Sequence, residues 1–295
     1  MIQRLRYWLS RAKGLAARTD ALEHQAAFLI TENIRLNQLV RELIYGNDLK
    51  RPLSGQATLD SFRFQWAHLP TGAAMPSNRA FLEDAPAQLQ KMADAPAEWF
   101  RGKRVLDIGC GIGRWSHALL TMGAHVTSFD QSPEAIAATA RLCSSFPHHV
   151  TMQGNLLNAD DLPAARFDFV WCFGVCHHTV DVWKAVAHVL QSVQAGGCAF
   201  LMLYGYPTTP SDCRSHATFE EWRQRLAPLS FDERTNAIRQ AFPAEDLHGY
   251  FDALSPPIND LLTWEAIQTF VQDRGFTDVR RTITHGNHHF VATKT

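Results

Sequence analysis

The sequence predicts a doubly wound α/β fold with a mostly parallel sheet of seven strands. From about residue 101, short apolar runs alternate with helical stretches, a pattern typical of a parallel sheet with helices on both faces. A glycine-rich turn follows the first of these runs. The chain closes on two strand-like runs separated by a short turn, which indicates an antiparallel pair.

The strands are expected at short apolar runs bounded by turn residues. Their predicted ranges are 103–108, 124–129, 149–153, 167–173, 197–204, 277–284 and 288–293. Helices are predicted at 114–122, 132–145, 181–193 and 263–274, between successive strands. Ser132 and Pro133 form an N-cap and first-turn pair, and the fifth strand is expected to begin after a turn at Gly196–Gly197.

Residues 1–50 predict a long amphipathic helix. Leucine recurs every seven residues, at Leu15, Leu22, Leu29, Leu36 and Leu43. Two interpretations stay open: a parallel coiled coil that forms a homodimer through residues 15–45, or a helix that packs on its own domain. The basic first residues favour a solvated helix start over a membrane contact.

Two further segments flank or interrupt the α/β domain, which spans 101–295. Residues 51–100 contain prolines and scattered aromatics, which predicts a linker with short helices on the substrate side. Residues 205–262 break the alternation with polar, proline-punctuated and aromatic-rich sequence, which predicts an inserted helical cap. Such a cap either closes over a small substrate or only covers an edge of the sheet.

Composition excludes several classes of protein. Of 295 residues, 46% are hydrophobic and 19% charged, as in globular proteins. The net charge of −1 gives no general attraction to nucleic acid, so no nucleic-acid partner is expected. The six cysteines lack the spacing of a zinc site or a disulfide framework, and the N-terminal stretch lacks the apolar core of a signal peptide. We therefore expect a cytoplasmic protein without a metal site.

The segment VLDIGCGIGRW, residues 105–115, places the glycine-rich turn between the first strand and a helix. In open α/β sheets a ligand binds at this carboxyl edge. A dinucleotide-binding fingerprint would require a glycine at position 114, where this chain has Arg114. Asp107 lies inside the strand, and an acid there suits a ligand with an amino group better than a pyrophosphate. Asp130 ends the second strand, where its carboxylate can accept hydrogen bonds from ribose hydroxyls.

The segments VLDIGCGIGRW, VTSFDQSPEAI, GNLLNAD and FDFVWCFGVCHHT occur in this order along the chain. In order and spacing the chain resembles the class I S-adenosylmethionine-dependent methyltransferases. The resemblance covers residues 103–204 and extends over the closing strands. It implies a Rossmann-like methyltransferase domain with a seven-stranded sheet, and S-adenosylmethionine as the cofactor.

The same resemblance implies a set of cofactor contacts. The glycines would line the methionine moiety near Asp107, Asp130 would hold the ribose, and Gln131 would neighbour the adenosine. Asn155 would accept from the adenine amine, Leu156 would pack on the adenine, and Phe173 and Gly174 would form the wall near the sulfonium. The full set is Asp107, Gly109, Gly111, Gly113, Asp130, Gln131, Asn155, Leu156, Phe173 and Gly174. Two alternatives stay open: Asp107 as a structural acid, and Asn155 as a turn residue.

Several histidines are candidates for contact with the methyl acceptor. A hydroxyl acceptor benefits from a general base, and histidine has a suitable pKa. His177 and His178 follow the fourth strand, where the family places substrate-facing residues, so they are the candidate catalytic residues. The alternative is that they only shape the pocket. His285, His288 and His289 are expected to be strand-end residues.

The function predicted from these observations is methylation of a small molecule or sugar, with an oxygen as the expected methyl acceptor. A catalytically inactive scaffold is one alternative, although it would not need the glycines and Asp130. An RNA methyltransferase is the second, although no basic, aromatic-interleaved surface or added RNA-binding module is evident outside the N-terminal stretch.

Overall fold

A computed structural model describes residues 50–69, 79–164, 166–243 and 247–295, and before them residues 18, 19, 22, 25, 29, 32 and 36. Those earlier residues are helical. Most of residues 1–50, including Leu15 and Leu43, lie outside the described residues, and so do the predictions that concern them. Leu22, Leu29 and Leu36 are described, and their side chains are 56–66% exposed.

The seven predicted strands form one sheet in the order β3-β2-β1-β4-β5-β7-β6. Their bounds are β1 Arg104–Ile108, β2 His125–Asp130, β3 His149–Gln153, β4 Phe167–Phe173, β5 Val193–Leu203, β6 Phe276–Ile283 and β7 His288–Lys294. The first five strands are parallel, and β7 pairs antiparallel with both β5 and β6. The predicted fold class, with its closing antiparallel pair, is confirmed.

The helices comprise those of the α/β domain, those preceding it and those of the insertion. Their bounds are α1 Lys50–His68, α2 Arg79–Ala93, α3 Arg114–Thr121, α4 Pro133–Leu142, α5 Val182–Gln191, α6 Pro210–Leu226, α7 Phe231–Ala241, α8 Leu247–Leu254 and α9 Trp264–Gln272. Ser132 caps α4 by accepting from the backbone N of Ala135 at 3.1 Å. The predicted cap and the observed one coincide.

Two apolar layers cover the sheet. On one face, Val186 and Val189 of α5 and Ile267 of α9 are fully buried against the strands. On the other face, Leu89 of α2 and Leu119 of α3 are fully buried. Because both faces are covered, the central strands read as continuous apolar runs rather than as alternating ones.

The insertion has an apolar core of its own, and α1 belongs to it. Phe251 of α8 and Ile238 of α7 are fully buried in this core. Phe64 of α1 stacks on Phe251 with ring centroids 5.7 Å apart, and Ser61 of α1 donates to Ser255 at 2.8 Å. Helix α1 and the insertion therefore form one layer, which we call the cap layer.

Two local predictions were wrong. The segment after residue 50 was expected to hold short helices, but α1 runs unbroken over 19 residues. Pro52 lies in its first turn, where no backbone donor is needed. The Gly196–Gly197 pair was expected to precede the fifth strand, but it lies inside β5, where the pairing with β4 is irregular. Among the described residues, no helix is long and apolar enough to span a membrane.

Candidate active site

A cavity of about 880 Å³ opens at the carboxyl ends of β1, β2 and β4. This is the switch point of the sheet, since β2 and β3 lie to one side of β1 and β4 and β5 to the other. The volume is near the upper end for ligand pockets, about 300–1,000 Å³. It is sufficient for a nucleoside-sized ligand and a second, smaller molecule.

The glycine turn after β1 forms one wall of the cavity. Gly109 and Gly111 line it, with φ of +70° and +54°. A Cβ at Gly109 would lie 2.2 Å from Cγ2 of Val175, and one at Gly111 would lie 3.0 Å from the Trp66 ring. Only glycine therefore allows the wall to follow this path. Gly113 does not line the cavity; it begins α3 and packs against Thr139.

Asp130 ends β2 beside this turn and lines the cavity. Its Oδ2 accepts from the backbone N of Gly111 at 3.0 Å, and its Oδ1 accepts from the backbone N of Ser132 at 2.8 Å. Burial raises the pKa of Asp130, and these backbone hydrogen bonds oppose the rise. Each carboxylate oxygen keeps a second lone pair for a ligand hydroxyl. Gln131, the next residue, is exposed and also lines the cavity.

The end of β3 supplies Asn155 and Leu156, which both line the cavity. The Oδ1 of Asn155 accepts from the backbone N of Leu157 at 2.9 Å, and its own N donates to Asp161. This is the geometry of a turn asparagine, the alternative left open above. Leu156 is 6% exposed and presents an apolar surface to the cavity.

Phe173 and Gly174, at the end of β4, form a further part of the wall. Gly174 has φ of +76°, and its N donates to the backbone O of Met202 at 3.3 Å. Met202 lies in β5, beside Phe173 in the pairing. The residues that sequence analysis assigned to the sulfonium thus stand beside the glycine turn of β1.

Asp107 lies behind the cavity wall rather than in it. Its Oδ2 accepts from Ser116 at 2.5 Å, and Ser116 in turn hydrogen-bonds Ser128 at 2.6 Å. Ser128 contacts Nε2 of His149 at 2.9 Å. Burial raises the pKa of Asp107 to about 7, although the hydrogen bond from Ser116 opposes the rise. Asp107 therefore links β1 to α3, as a structural acid would.

The two histidines after β4 have different surroundings. His178 lines the cavity, and its Nδ1 lies 2.8 Å from the backbone O of Ile258. A carbonyl only accepts, so Nδ1 carries the proton and Nε2 has a free lone pair. Burial lowers the pKa of His178 to about 4. His177 does not line the cavity; its ring stacks on Tyr204 at 3.7 Å, and burial lowers its pKa well below the usual value.

The cap layer supplies residues that sequence analysis missed. His248 and Asp252, four residues apart on α8, both line the cavity. Phe62 and Trp66 of α1 also line it, and they belong to the segment that was expected on the substrate side. Burial raises the pKa of Asp252 to about 7 and lowers that of His248 to about 4. Their spacing in the sequence could have indicated this, because two ionisable residues four apart on an otherwise apolar helix share one helix face. The sequence did not indicate which partner that face meets.

The hairpin histidines lie outside the cavity lining. Nε2 of His288 contacts the backbone O of Leu262 at 2.9 Å, and His289 contacts its neighbour Asn287. His285 is exposed in the turn. Within the part of the chain that the structure describes, no three His, Cys, Asp or Glu side chains are grouped to hold a metal ion.

A family profile described as a methyltransferase domain matches residues 79–254. The chain is also similar to proteins named ubiquinone biosynthesis O-methyltransferase. That of Aromatoleum aromaticum is 38% identical over 102 residues, which cover 34% of this chain and 43% of that protein. That of Xanthomonas campestris pv. campestris is 32% identical over 130 residues, or 43% and 53% of the two chains. The matched regions span only about half the length of these relatives.

Solved structures show the same fold. An O-methyltransferase family protein from Burkholderia thailandensis aligns with a TM-score of 0.53 at 14% identity, covering 78% of this chain and 61% of that one. The N-methyltransferase NodS from Bradyrhizobium japonicum, in complex with S-adenosyl-L-homocysteine, aligns with a TM-score of 0.51 at 12% identity, covering 81% and 98%. At these identities the likeness is one of fold alone.

Proposed function

Because this chain belongs to the methyltransferase domain family, we propose that it transfers a methyl group from S-adenosylmethionine to an oxygen of a small molecule. The observation that carries the proposal is the composition of one cavity. It joins a glycine turn and the acid at the end of β2, Asp130, to ionisable residues of the cap layer. The relatives named O-methyltransferases support oxygen as the acceptor atom.

The cofactor side of the proposal rests on the edge of the sheet. Gly109 and Gly111 would line the methionine moiety, since both line the cavity and a Cβ at either would meet Val175 or Trp66. Asp130 has lone pairs for the ribose hydroxyls, with Gln131 beside the adenosine. Leu156 would cover the adenine, with Asn155 next to it in its turn. The sulfonium of the bound cofactor supplies an activated methyl group, so the protein must mainly orient the acceptor and exclude water.

The acceptor side lies under the cap layer. His178 is proposed to contact the acceptor, because its Nε2 is a free acceptor on a neutral ring. His177 is proposed to support His178 from behind, since the two rings lie 4.3 Å apart. The closure of the cap layer over the cavity favours a small acceptor over a macromolecule. A small-molecule partner without nucleic acid is therefore proposed.

Calorimetric titration with S-adenosylmethionine and S-adenosylhomocysteine tests this function. The wild-type protein should bind both, and Asp130→Ala should weaken binding at least tenfold, since a hydrogen bond to a charged group contributes about 1.5–3 kcal/mol. Asp130→Asn keeps the side-chain size and covers the case in which alanine disturbs the turn. Asp273→Ala is the matched control, because Asp273 is exposed and lies at the end of α9. A folded wild-type protein that binds neither compound would favour the inactive scaffold.

Self-association is proposed through residues 15–45. Leu22, Leu29 and Leu36 are helical, exposed and seven residues apart, as the seam of a two-stranded coiled coil requires. Light scattering of the full chain should give a dimer mass, and replacing all three leucines with glutamate should give a monomer. A monomer mass for both the wild-type chain and the glutamate variant would contradict self-association through this helix.

A reducing, cytoplasmic setting is also proposed. Cys172 and Cys176 are buried with their Sγ atoms 3.6 Å apart, and they are proposed to be free thiols. Such a pair persists as thiols where the surroundings are reducing. Titration of thiols in protein purified from the producing cells should find this pair reduced.

A further inference from the structure

An acid of the cap layer lies in the wall of the cavity. Asp252 lines the cavity and makes no hydrogen bond to any residue that the structure describes. The nearby Arg223 does not bind it, because its guanidinium donates to the backbone O of Ala253 at 2.7 and 2.9 Å and to Glu220. Asp252 is half-buried, so a ligand that fills the cavity would displace water from its carboxylate, which is unfavourable unless the ligand donates a hydrogen bond to it.

The position on α8 determines what this carboxylate can meet. His248 lies one helical turn before Asp252, and the Trp66 ring of α1 lies 5.1 Å from the His248 ring. Phe62, one turn before Trp66, contacts His178 edge-on at 5.0 Å. Aromatic rings of α1 and polar groups of α8 therefore border the same space, which His178 also lines.

The other candidate bases in the cavity are weaker. Nε2 of His248 lies 2.8 Å from the amide nitrogen of Gln65 and accepts from it, and burial lowers its pKa to about 4. His178 has a pKa of about 4 for the same reason. Burial raises the pKa of Asp252 to about 7, with Arg223 opposing. A base whose pKa is near the working pH is the better proton acceptor.

Charge in the lining narrows the class of acceptor. Among the described residues that line the cavity, Arg114 is the only lysine or arginine, and it directly follows the glycine turn. Arg223, the cation near Asp252, does not line the cavity and donates to Ala253 and Glu220, so an acceptor with a phosphate or carboxylate would meet no available cation beside Asp252. The aromatic walls instead suit a flat, uncharged ring, which stacks favourably on Trp66 or Phe62.

We infer that Asp252 is a catalytic residue that accepts the hydroxyl proton of a neutral phenolic acceptor held between α1 and α8. This inference rests on the proposed function. The O–H bond breaks and the proton passes to the carboxylate, while the acceptor oxygen forms a bond to the methyl carbon. The bond from that carbon to sulfur breaks, and its electron pair stays on sulfur, which becomes neutral. His178 then orients the acceptor rather than deprotonating it.

Binding of 4-methylcatechol in the presence of S-adenosylhomocysteine tests this without turnover. By calorimetry, wild-type affinity should rise between pH 6 and pH 8, because the ionised carboxylate accepts the phenolic hydrogen bond. The charged group near Asp252 is Arg223 of α6, and the other titratable groups there, Tyr204 after β5 and His248 on its own helix, are neutral over this pH range. Asp252→Asn should bind about tenfold more weakly at pH 8 and lose the pH dependence. Asp232→Asn, an exposed change on α7, should behave as wild type.

A rate measurement with S-adenosylmethionine and 4-methylcatechol completes the test. Asp252→Asn should lower kcat about 10²- to 10⁴-fold and remove the rise in rate near pH 7, while S-adenosylhomocysteine affinity stays at the wild-type value. Wild-type probe affinity and pH dependence in Asp252→Asn would overturn the role of Asp252. A wild-type protein that binds S-adenosylhomocysteine but no 4-methylcatechol would overturn the phenolic class. Failure to bind S-adenosylhomocysteine would instead contradict the proposed function.

Discussion

Arg63 of α1 donates two parallel hydrogen bonds to Glu134 of α4, from Nη2 to Oε1 at 2.8 Å and from Nε to Oε2 at 3.1 Å. This ion pair ties the cap layer to the helix that begins just after Asp130. One helical turn beyond Arg63, Trp66 lies against Gly111 in the cavity wall. The pair thus holds α1 across the space assigned to the cofactor.

Loosening this tie should weaken cofactor binding. We expect Arg63→Ala to raise the Kd for S-adenosylhomocysteine a few-fold, because α1 then spends less time over the cavity. The effect should shrink at high salt, since both side chains are partly exposed. Hydrogen exchange in residues 50–68 should quicken in parallel. The control is Arg239→Ala, which changes an exposed arginine on α7. Equal rates of hydrogen exchange in the two variants would contradict a role of the Arg63–Glu134 ion pair in holding α1.

The ion pair should also survive mild acid. Hydrogen bonding by Arg63 lowers the pKa of Glu134 to about 2. A carboxyl with a depressed pKa stabilises the fold above its unfolded pKa, and loses that contribution as pH falls towards its folded pKa. Exchange of α1 in wild-type protein should therefore change little between pH 7 and pH 5, after correction for the intrinsic rate. A steep loss of protection from hydrogen exchange already at pH 5 would contradict the lowered pKa of Glu134.

Gly109 should not tolerate a side chain. Gly109→Ala places a Cβ 2.2 Å from Val175 in a backbone with φ of +70°. Strain of about 1–2 kcal/mol from the φ alone and the clash together should lower Tm by several degrees and abolish S-adenosylhomocysteine binding. Gly286→Ala separates the two causes, because its φ is also +70° and no atom lies within 4 Å of the new Cβ. Equal Tm losses in the two variants would show that the clash contributes nothing.

Asp107 should make stability depend on pH. Its folded pKa of about 7 lies above the ordinary value of 3.8 because of burial. The folded protein then binds a proton that the unfolded chain has lost, so the free energy of unfolding should fall as pH rises from about 4 through about 7. Asp107→Asn removes this contribution. Urea unfolding at pH 5.5 and pH 8 should show a larger fall in wild type than in the variant; parallel curves would mean that Asp107 is ionised at both pH values.

Phe251 should hold the cap layer together. It is fully buried and stacks on Phe64, so Phe251→Ala should cost about 3–5 kcal/mol. Because the lost packing is confined to this layer, limited proteolysis should cut residues 205–262 first. Phe251→Leu keeps most of the volume and should cost less. Unchanged protease resistance in the alanine variant would mean that α1 and α8 are held by other contacts.

Much of this fold is predictable because its signals are local. The strand predicted at 167–173 coincides with β4, and Ser132 with Pro133 marks the start of α4. These features depend on apolar runs, caps and turn glycines, which a few adjacent residues express in full. The pair Gly196–Gly197 shows the limit, because pairing with β4 continues β5 through a glycine pair that locally indicates a turn.

The site divides in the same way. The glycine turn, the position of Asp130 at the end of β2 and the residues that follow β3 and β4 are all evident from the amino-acid order, because parallel strands bring their carboxyl ends to one edge of a sheet. Long-range packing places Asp107 against Ser116, His177 beside His178 and Asp252 in the cavity wall. Each of these depends on contacts between distant segments, such as Gln65 with His248, and no local period records which face of a helix another element will cover.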